Sequence, residues 1–128
     1  MKNIFTCTVT GLGEHAAEMI AEGTMILFGE EALRCYDSPE LTSICVRHDF
    51  PKPPHFRVAC GDVLHVGESE MEVLAVGQAV AHNLKNYGHV TIQMLREGVD
   101  LPLKPGDIQV RCRDTPEIRE GTVVQILR

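Results

Sequence analysis

Histidine is the residue type in this chain best suited to chemistry near neutral pH, and six are present: His15, His48, His55, His65, His82 and His89. A neutral imidazole has a lone pair on one ring nitrogen, which can attack a phosphoryl group. The other nitrogen then donates to an acceptor that fixes the tautomer. Imidazole is also a common metal ligand. The histidines therefore indicate either nucleophilic chemistry or metal binding.

His48 meets the local requirements of a phosphoryl-accepting residue best. It ends a predicted strand, it precedes a proline-rich stretch at 49–54, and it follows Arg47. The planar guanidinium of Arg47 is suited to steadying phosphate oxygens. On a regular strand, however, Arg47 and His48 point to opposite faces, so Arg47 can help only if the strand twists or ends there. We expect His48 to be an exposed nucleophile, and the alternative is a surface histidine without chemistry.

Three other combinations are weaker. Cys45 lies three residues before His48, which places the two on opposite faces of a strand, so we expect Cys45 to be buried and not part of a nucleophile pair. The Gly11–Gly13 segment lacks the third glycine of a dinucleotide fingerprint. His48, His55 and His65 could share a metal, but their separations match no common ligand pattern. No metal and no cofactor are predicted.

The elements that position these residues are mostly strands. Alternating apolar residues and Gly or Pro breaks predict strands at 2–10, 25–28, 41–48, 63–66, 70–76, 88–95, 108–110 and 122–127. Helical spacing predicts two short helices, at 14–21 and 78–85, which would leave His15 and His82 solvated. The stretch 29–39 is predicted to be an irregular connection. The expected fold is mainly β, a compact antiparallel barrel or sandwich with two short helices.

Composition indicates one soluble domain that covers residues 1–128. The chain has 128 residues, 44% of them hydrophobic and 23% charged, which is ordinary for a globular domain. The five cysteines form no C-x-x-C pair, so neither a disulfide framework nor a zinc ribbon is predicted. No apolar run is long enough to cross a bilayer, and the N-terminus lacks a signal-peptide core. We expect a cytoplasmic protein with no membrane insertion.

The charge balance bears on partners. Twelve Lys and Arg stand against 18 Asp and Glu, which gives a formal net charge of −6. This field repels nucleic acid and anionic lipid. A partner protein that presents Arg or Lys would be attracted, because complementary charge speeds encounter. Nucleic acid is therefore excluded as an expected partner.

Several joined motifs resemble the glucitol/sorbitol-specific IIA component family of the phosphotransferase system. They are Ala75-Val76-Gly77, Asn83-Leu84 and Gly88-His89-Val90-Thr91, preceded by Ile44-Cys45-Val46-Arg47-His48. The match extends from about Leu41 to Leu95. It departs at Val80, where the family has alanine, and at Phe50, where the family often has a second histidine two residues after the phosphorylated one.

The resemblance implies a function. His48 would accept a phosphoryl group from the histidine-containing phosphocarrier protein and pass it to the glucitol/sorbitol IIB component of a membrane-associated IIB/IIC system. His89 would orient His48 or contact the phosphate, and Gly88 would let backbone amides approach the phosphate oxygens. The resemblance also implies attachment at Nε2. Two alternatives stay open: a barrel of the same fold that acts as a non-catalytic interaction or regulatory module, which Phe50 favours, and a histidine metal protein.

Overall fold

The computed structural model describes residues 2–49 and 56–128. These residues form eight strands and four helices. The strands are β1 (Asn3–Leu12), β2 (Thr24–Gly29), β3 (Cys45–His48), β4 (Val63–Val66), β5 (Ser69–Val76), β6 (Val90–Leu95), β7 (Asp107–Arg111) and β8 (Val123–Leu127). The helices are α1 (Ala16–Ala21), α2 (Glu30–Arg34), α3 (Pro39–Ile44) and α4 (Val80–Tyr87). None of the helices in the described ranges is long and apolar enough to cross a membrane.

The strands close into one barrel in the order β1-β3-β2-β6-β7-β5-β4-β8, with β8 pairing back onto β1. The expectation of a mainly β fold is confirmed, and of the two architectures considered the barrel is the one found. Two neighbouring pairs, β2 with β3 and β6 with β7, are parallel, whereas the other pairs are antiparallel. Parallel neighbours need a long crossover, and here the crossovers are the segments 30–44 and 96–106.

The barrel interior holds the main hydrophobic core. Strand β1 contributes Phe5, Cys7 and Val9 to it, as the alternating pattern predicted. A second, smaller cluster lies on the outer face of β2 and β3, where Phe28 and Cys45 pack against Leu33 of α2. Strand β3 is therefore covered on both faces, and this double burial determines the surroundings of His48.

The prediction of a strand over 41–48 is wrong for its first half. Residues Pro39–Ile44 form α3, and only Cys45–His48 are extended. The Ser38 hydroxyl accepts a hydrogen bond from the Leu41 amide at 3.2 Å, and Pro39 occupies the first turn. Ser followed by Pro and an acidic residue is a helix start signal, and it overrode the apolar alternation.

The connection predicted over 29–39 also contains a helix. Helix α2 begins directly after β2, with Glu30 and Glu31 in its first turn and Arg34 in its last. These charges suit the helix dipole, because carboxylates stabilise the N-terminal turn and cations the C-terminal turn. Together with α3, this helix brings the described residues to four helices, where the sequence predicted two.

The region around the glycine-rich motifs follows the prediction closely. Strands β4 and β5 form the expected hairpin, and α4 covers Val80–Tyr87, two residues later than predicted. Gly88 ends this helix in the left-handed conformation, with φ of 60° and ψ of 28°. A glycine in this conformation is a common helix ending, since it carries no Cβ penalty. The chain then enters β6 at Val90.

Candidate active site

His48 is the last residue of β3 and lies inside one end of the barrel. It is paired with Val9 of β1 and Gly29 of β2, and it is 0% exposed. The ring of Phe5 meets its imidazole edge to face, with centroids 5.9 Å apart. The expectation of an exposed imidazole is wrong, because His48 and Val46 share the inward face of β3. Any chemistry at His48 must start from an enclosed ring.

Both ring nitrogens of His48 face backbone carbonyl oxygens. Nε2 lies 2.6 Å from the Gly88 oxygen, and Nδ1 makes a hydrogen bond with the oxygen of Asp49. A carbonyl oxygen can only accept, and a neutral imidazole has a single N–H. Only the doubly protonated ring can donate to both oxygens at once. In the neutral ring, one nitrogen lone pair must face a carbonyl oxygen.

Asp49 is held firmly in place by strand β1. Its amide donates to the Thr8 oxygen at 3.0 Å, and the Thr8 amide donates to the Asp49 carboxylate at 2.7 Å. This two-way pairing fixes the Asp49 carbonyl against Nδ1. Because that acceptor cannot easily leave, it favours the tautomer that keeps a proton on Nδ1. Nε2 is then the nitrogen with the available lone pair.

Gly88 approaches His48 so closely that no side chain fits between them. A Cβ on residue 88 would lie 2.7 Å from Cε1 of His48 and 3.2 Å from the amide nitrogen of Gly29. The sequence predicted a close backbone approach here and expected amide donors. The structure confirms the approach, but the group that meets the ring is the Gly88 carbonyl. Spacing along the chain could not distinguish the two ends of one peptide.

His89 lies on the other side of β2 from His48. Its Nδ1 donates to the Leu27 oxygen at 3.0 Å, and its ring stacks on Phe28 with centroids 4.5 Å apart. Phe28 belongs to the outer cluster, whereas His48 faces the barrel interior. The two imidazoles are therefore linked through the Gly88–His89 peptide, and the His89 ring is placed to hold that peptide.

Arg47 faces away from His48. Strand β3 keeps a regular register with β2 through His48, although its pairing with β1 shifts between Val9 and Gly11. The Arg47 guanidinium packs against Gly11 on the outer face. It lines a groove of about 540 Å³ together with Leu33, Ser38 and Thr42. Arg47 could steady a phosphate at His48 only if the strand twisted or ended there. Instead, the Arg47 side chain lies on the outer face, away from the His48 ring. Gly11 belongs to the segment that was compared with a dinucleotide fingerprint. Because it has no side chain, it leaves room for the Arg47 guanidinium.

The remaining histidines are dispersed. His15 and His82 are exposed, as predicted, but only His82 lies within a helix, because α1 begins one residue after His15. His65 lies on β4 with Nδ1 3.8 Å from Glu70, and its buried Nε2 has no hydrogen-bond partner within the described chain. His55 and Phe50 lie outside the described residues. Among residues 2–49 and 56–128, no three His, Cys, Asp or Glu side chains are placed to hold a metal ion.

The cysteines near the site are poor nucleophiles. Burial raises the pKa of the Cys45 thiol to about 11, and burial together with the nearby Asp49 charge raises the pKa of Cys7. A raised pKa keeps the thiol protonated, and the thiolate is the reactive form. The prediction that Cys45 is buried is confirmed.

Comparisons with known proteins agree with the motifs. The family described as "PTS system glucitol/sorbitol-specific IIA component" matches residues 4–125. The crystal structure of a PTS system IIA component from Enterococcus faecalis V583 is similar, with a TM-score of 0.79 and 26% sequence identity. The similarity covers 97% of this chain and 100% of that chain. The comparison with curated protein sequences gives no match.

Proposed function

Because the chain belongs to the glucitol/sorbitol-specific IIA component family of the phosphotransferase system, we propose that His48 is the residue that carries the phosphoryl group. The observation that carries this proposal is the pair of carbonyl contacts on the ring. The fixed Asp49 carbonyl keeps the proton on Nδ1, so that Nε2 presents the attacking lone pair. This supports attachment at Nε2.

The transfer step balances with the release of one proton from His48. The ring first gives up its Nε2 proton to solvent and remains protonated at Nδ1. The Nε2 lone pair then forms a bond to phosphorus while the bond between phosphorus and the donor nitrogen breaks, and its electrons return to the donor imidazole. Such in-line transfers depend mainly on positioning and electrostatics. The proton retained on Nδ1 also makes His48 a good leaving group for the onward transfer.

The proposed donor is the histidine-containing phosphocarrier protein, and the proposed acceptor is the glucitol/sorbitol IIB component of a membrane-associated IIB/IIC system. Both exchanges would take place in the cytoplasm. The net charge of −6 supports a donor that presents Arg or Lys around its own phosphohistidine. His89 has an orienting role in this proposal, exerted through the Gly88–His89 peptide.

Intact-mass measurement after incubation with phosphoenolpyruvate, enzyme I and the phosphocarrier protein tests the proposal. We expect the mass of one phosphoryl group on the native chain, stable in base and lost in acid. His48→Gln should gain none, whereas the matched control His82→Gln, at an exposed helix position, should be phosphorylated normally. Full phosphorylation of folded His48→Gln would refute the assignment.

One observation favours a second function, that of a non-catalytic interaction or regulatory module. His48 is fully buried and both of its ring nitrogens face carbonyl oxygens, as in a purely structural histidine. In that case neither the native chain nor any variant would gain a phosphoryl group in the same assay. A histidine metal protein is separated from both by metal analysis after purification without an affinity tag.

A further inference from the structure

The carbonyl of Gly88 occupies the place that a phosphoryl group on His48 would need. It lies 2.6 Å from Nε2, along the direction in which that nitrogen donates its hydrogen bond. The lone pair that attacks phosphorus points in the same direction, since it replaces the N–H bond. A phosphorus atom cannot bond to Nε2 while the oxygen stays there. Either the imidazole swings out or the Gly88 oxygen leaves.

The contacts around the ring favour movement of the Gly88 oxygen. The imidazole is buried, meets Phe5 edge to face, and makes its Nδ1 contact with a carbonyl that β1 holds at both the amide and the side chain of Asp49. The Gly88–His89 peptide is held more weakly. Apart from the Gly88 oxygen, its polar group is the His89 amide, which donates a single hydrogen bond to the Asn83 oxygen at 3.2 Å, the upper end of the usual range.

We propose that the Gly88–His89 peptide is a switch that turns over when His48 is phosphorylated. In the resting state its carbonyl accepts a hydrogen bond from protonated Nε2. When Nε2 loses that proton, its lone pair faces the carbonyl oxygen and the contact becomes repulsive. Rotation of the peptide plane moves the oxygen away and turns the His89 amide towards the phosphoryl oxygens. The inference rests on the proposed phosphorylation of His48.

Gly88, which precedes the peptide, fits such a rotation, whereas the same half-turn takes φ of His89 from negative to positive, a cost that the new contact with the phosphoryl oxygens must offset. Turning one peptide plane changes ψ of residue 88 and φ of residue 89 by about half a turn and leaves the rest of the chain nearly in place. Gly88 has φ of 60°, and a half-turn of its ψ leads to a backbone region that is open essentially to glycine alone. The Gly88 amide is tied to Leu84 at 3.1 Å and the His89 ring is tied to Leu27. The peptide is thus anchored at both ends and loose between them.

The switch also supplies a donor for the phosphoryl oxygens. The Arg47 guanidinium faces the outer side of the barrel, so it does not provide charge for the phosphoryl oxygens. A backbone amide aimed at a phosphoryl oxygen is an effective stabilising group in an enclosed site. The same peptide would therefore block the nucleophile at rest and bind the product after transfer, which couples loading of the phosphoryl group to the opening of the site.

Nuclear magnetic resonance on isotopically labelled protein tests the switch. Two phosphoryl sources are used, phosphoramidate and the enzymatic donor chain, so that failure of the proposed partner and failure of the switch are distinguishable. On phosphorylation we expect the His89 amide proton to move far downfield and to couple to phosphorus, while the contacts between Phe5 and His48 and the Nδ1 hydrogen bond persist. Loss of the Phe5 contacts with an unchanged His89 amide would show that the ring swings out, and would overturn the proposal.

A matched pair of variants provides the second arm. Gly88→Asn removes the glycine-only conformation and also brings a Cβ to within 2.7 Å of Cε1 of His48, so its rate is measured together with the resonance of the His89 amide. It should slow phosphorylation by phosphoramidate about 10²-fold, and the fraction that is phosphorylated should lack the downfield shift and the phosphorus coupling of that amide. Gly98→Asn is the control, because Gly98 also has a positive φ, 82°, but has open space around it. The control should react at the native rate. Equal rates for the two variants would overturn the proposal, as would no phosphorylation of native His48 by either source, since the carbonyl would then never leave Nε2.

Discussion

Among the ionisable side chains buried in this barrel, Asp62 and His48 have surroundings that differ in kind. Asp62 is 2% exposed and accepts hydrogen bonds from the Arg128 guanidinium at 2.9 and 3.2 Å and from the Ala59 amide at 2.8 Å. An ionised carboxylate only accepts, and arginine stays charged at any accessible pH. The partners of Asp62 are all donors and therefore fit the ionised carboxylate.

His48 is buried as deeply, but its partners fit only one of its two ordinary states. Two carbonyl oxygens suit the doubly protonated ring and oppose the neutral ring that acts as a nucleophile. The comparison teaches that burial alone does not separate a structural polar group from a reactive one. What separates them is whether the hydrogen-bond partners still suit the group after it has lost the proton that the reaction removes.

The largest expected effect is loss of phosphoryl uptake when His48 is replaced. His48→Gln should take up no phosphate in the intact-mass assay and should still fold, because glutamine fills most of the same volume. His48→Ala should in addition lower the free energy of unfolding by about 2 kcal/mol, since it leaves a cavity inside the barrel. The imidazole is 0% exposed and is therefore part of the packed interior. Denaturant unfolding of both variants checks this difference.

The second largest effect, from replacing Arg128, should appear in the free energy of unfolding and not in the phosphorylation rate. Arg128→Ala leaves the buried Asp62 carboxylate without its cation, which we expect to lower the free energy of unfolding by a modest amount. This is less than for a fully buried pair, because the Arg128 side chain is 40% exposed. Arg113→Ala, at an exposed position, is the matched control. If Arg128→Ala changed the phosphorylation rate of folded protein, the assignment of this pair as purely structural would fail.

A smaller effect should follow replacement of the His89 side chain, which holds the switch peptide, whereas only the backbone amide of His89 would meet the phosphoryl group. His89→Asn keeps a donor near the position of Nδ1 and so can still reach the Leu27 oxygen, whereas His89→Gln places its amide further out. We expect His89→Gln to slow single-turnover transfer about tenfold, or about 1.4 kcal/mol, and His89→Asn to restore most of the rate. Equal rates for both variants, with unchanged stability, would argue against a positioning role.

The smallest effect expected concerns Cys7, which lines the barrel interior on the same strand as Phe5 and Val9. Cys35 and Cys60 are exposed and should react with iodoacetamide at mildly alkaline pH, whereas burial and a raised pKa should protect Cys7, Cys45 and Cys112. Phosphorylation should leave this pattern unchanged, because rotation of one peptide does not open the interior. Peptide mapping by mass spectrometry measures the labelling of each cysteine. Labelling of Cys7 only in the phosphorylated protein would indicate that the barrel interior opens more widely.

The sequence predicted most of the barrel because alternation along β1, the β4–β5 hairpin and the glycine after α4 are local signals. It did not predict α3, since the Ser38-Pro39 helix start competes with an apolar alternation that continues into β3. Within the site, the sequence placed His48 at the end of a strand, but the choice between interior and surface depends on strands that lie far away along the chain. The Gly88 carbonyl was unpredictable for a related reason. Peptide orientation is set by the conformation of Gly88, which residue types do not specify.

Strand β8 has a consequence for how the chain is made. It lies between β1 and β4, and its pairing with both completes the ring. During synthesis β1 and β4 emerge from the ribosome long before β8, so each must wait with one edge unpaired. Unpaired edges invite association with other chains, and non-local pairing of this kind folds slowly. We therefore expect this protein to depend on chaperones during synthesis more than its small size suggests, and to aggregate when truncated before Val123.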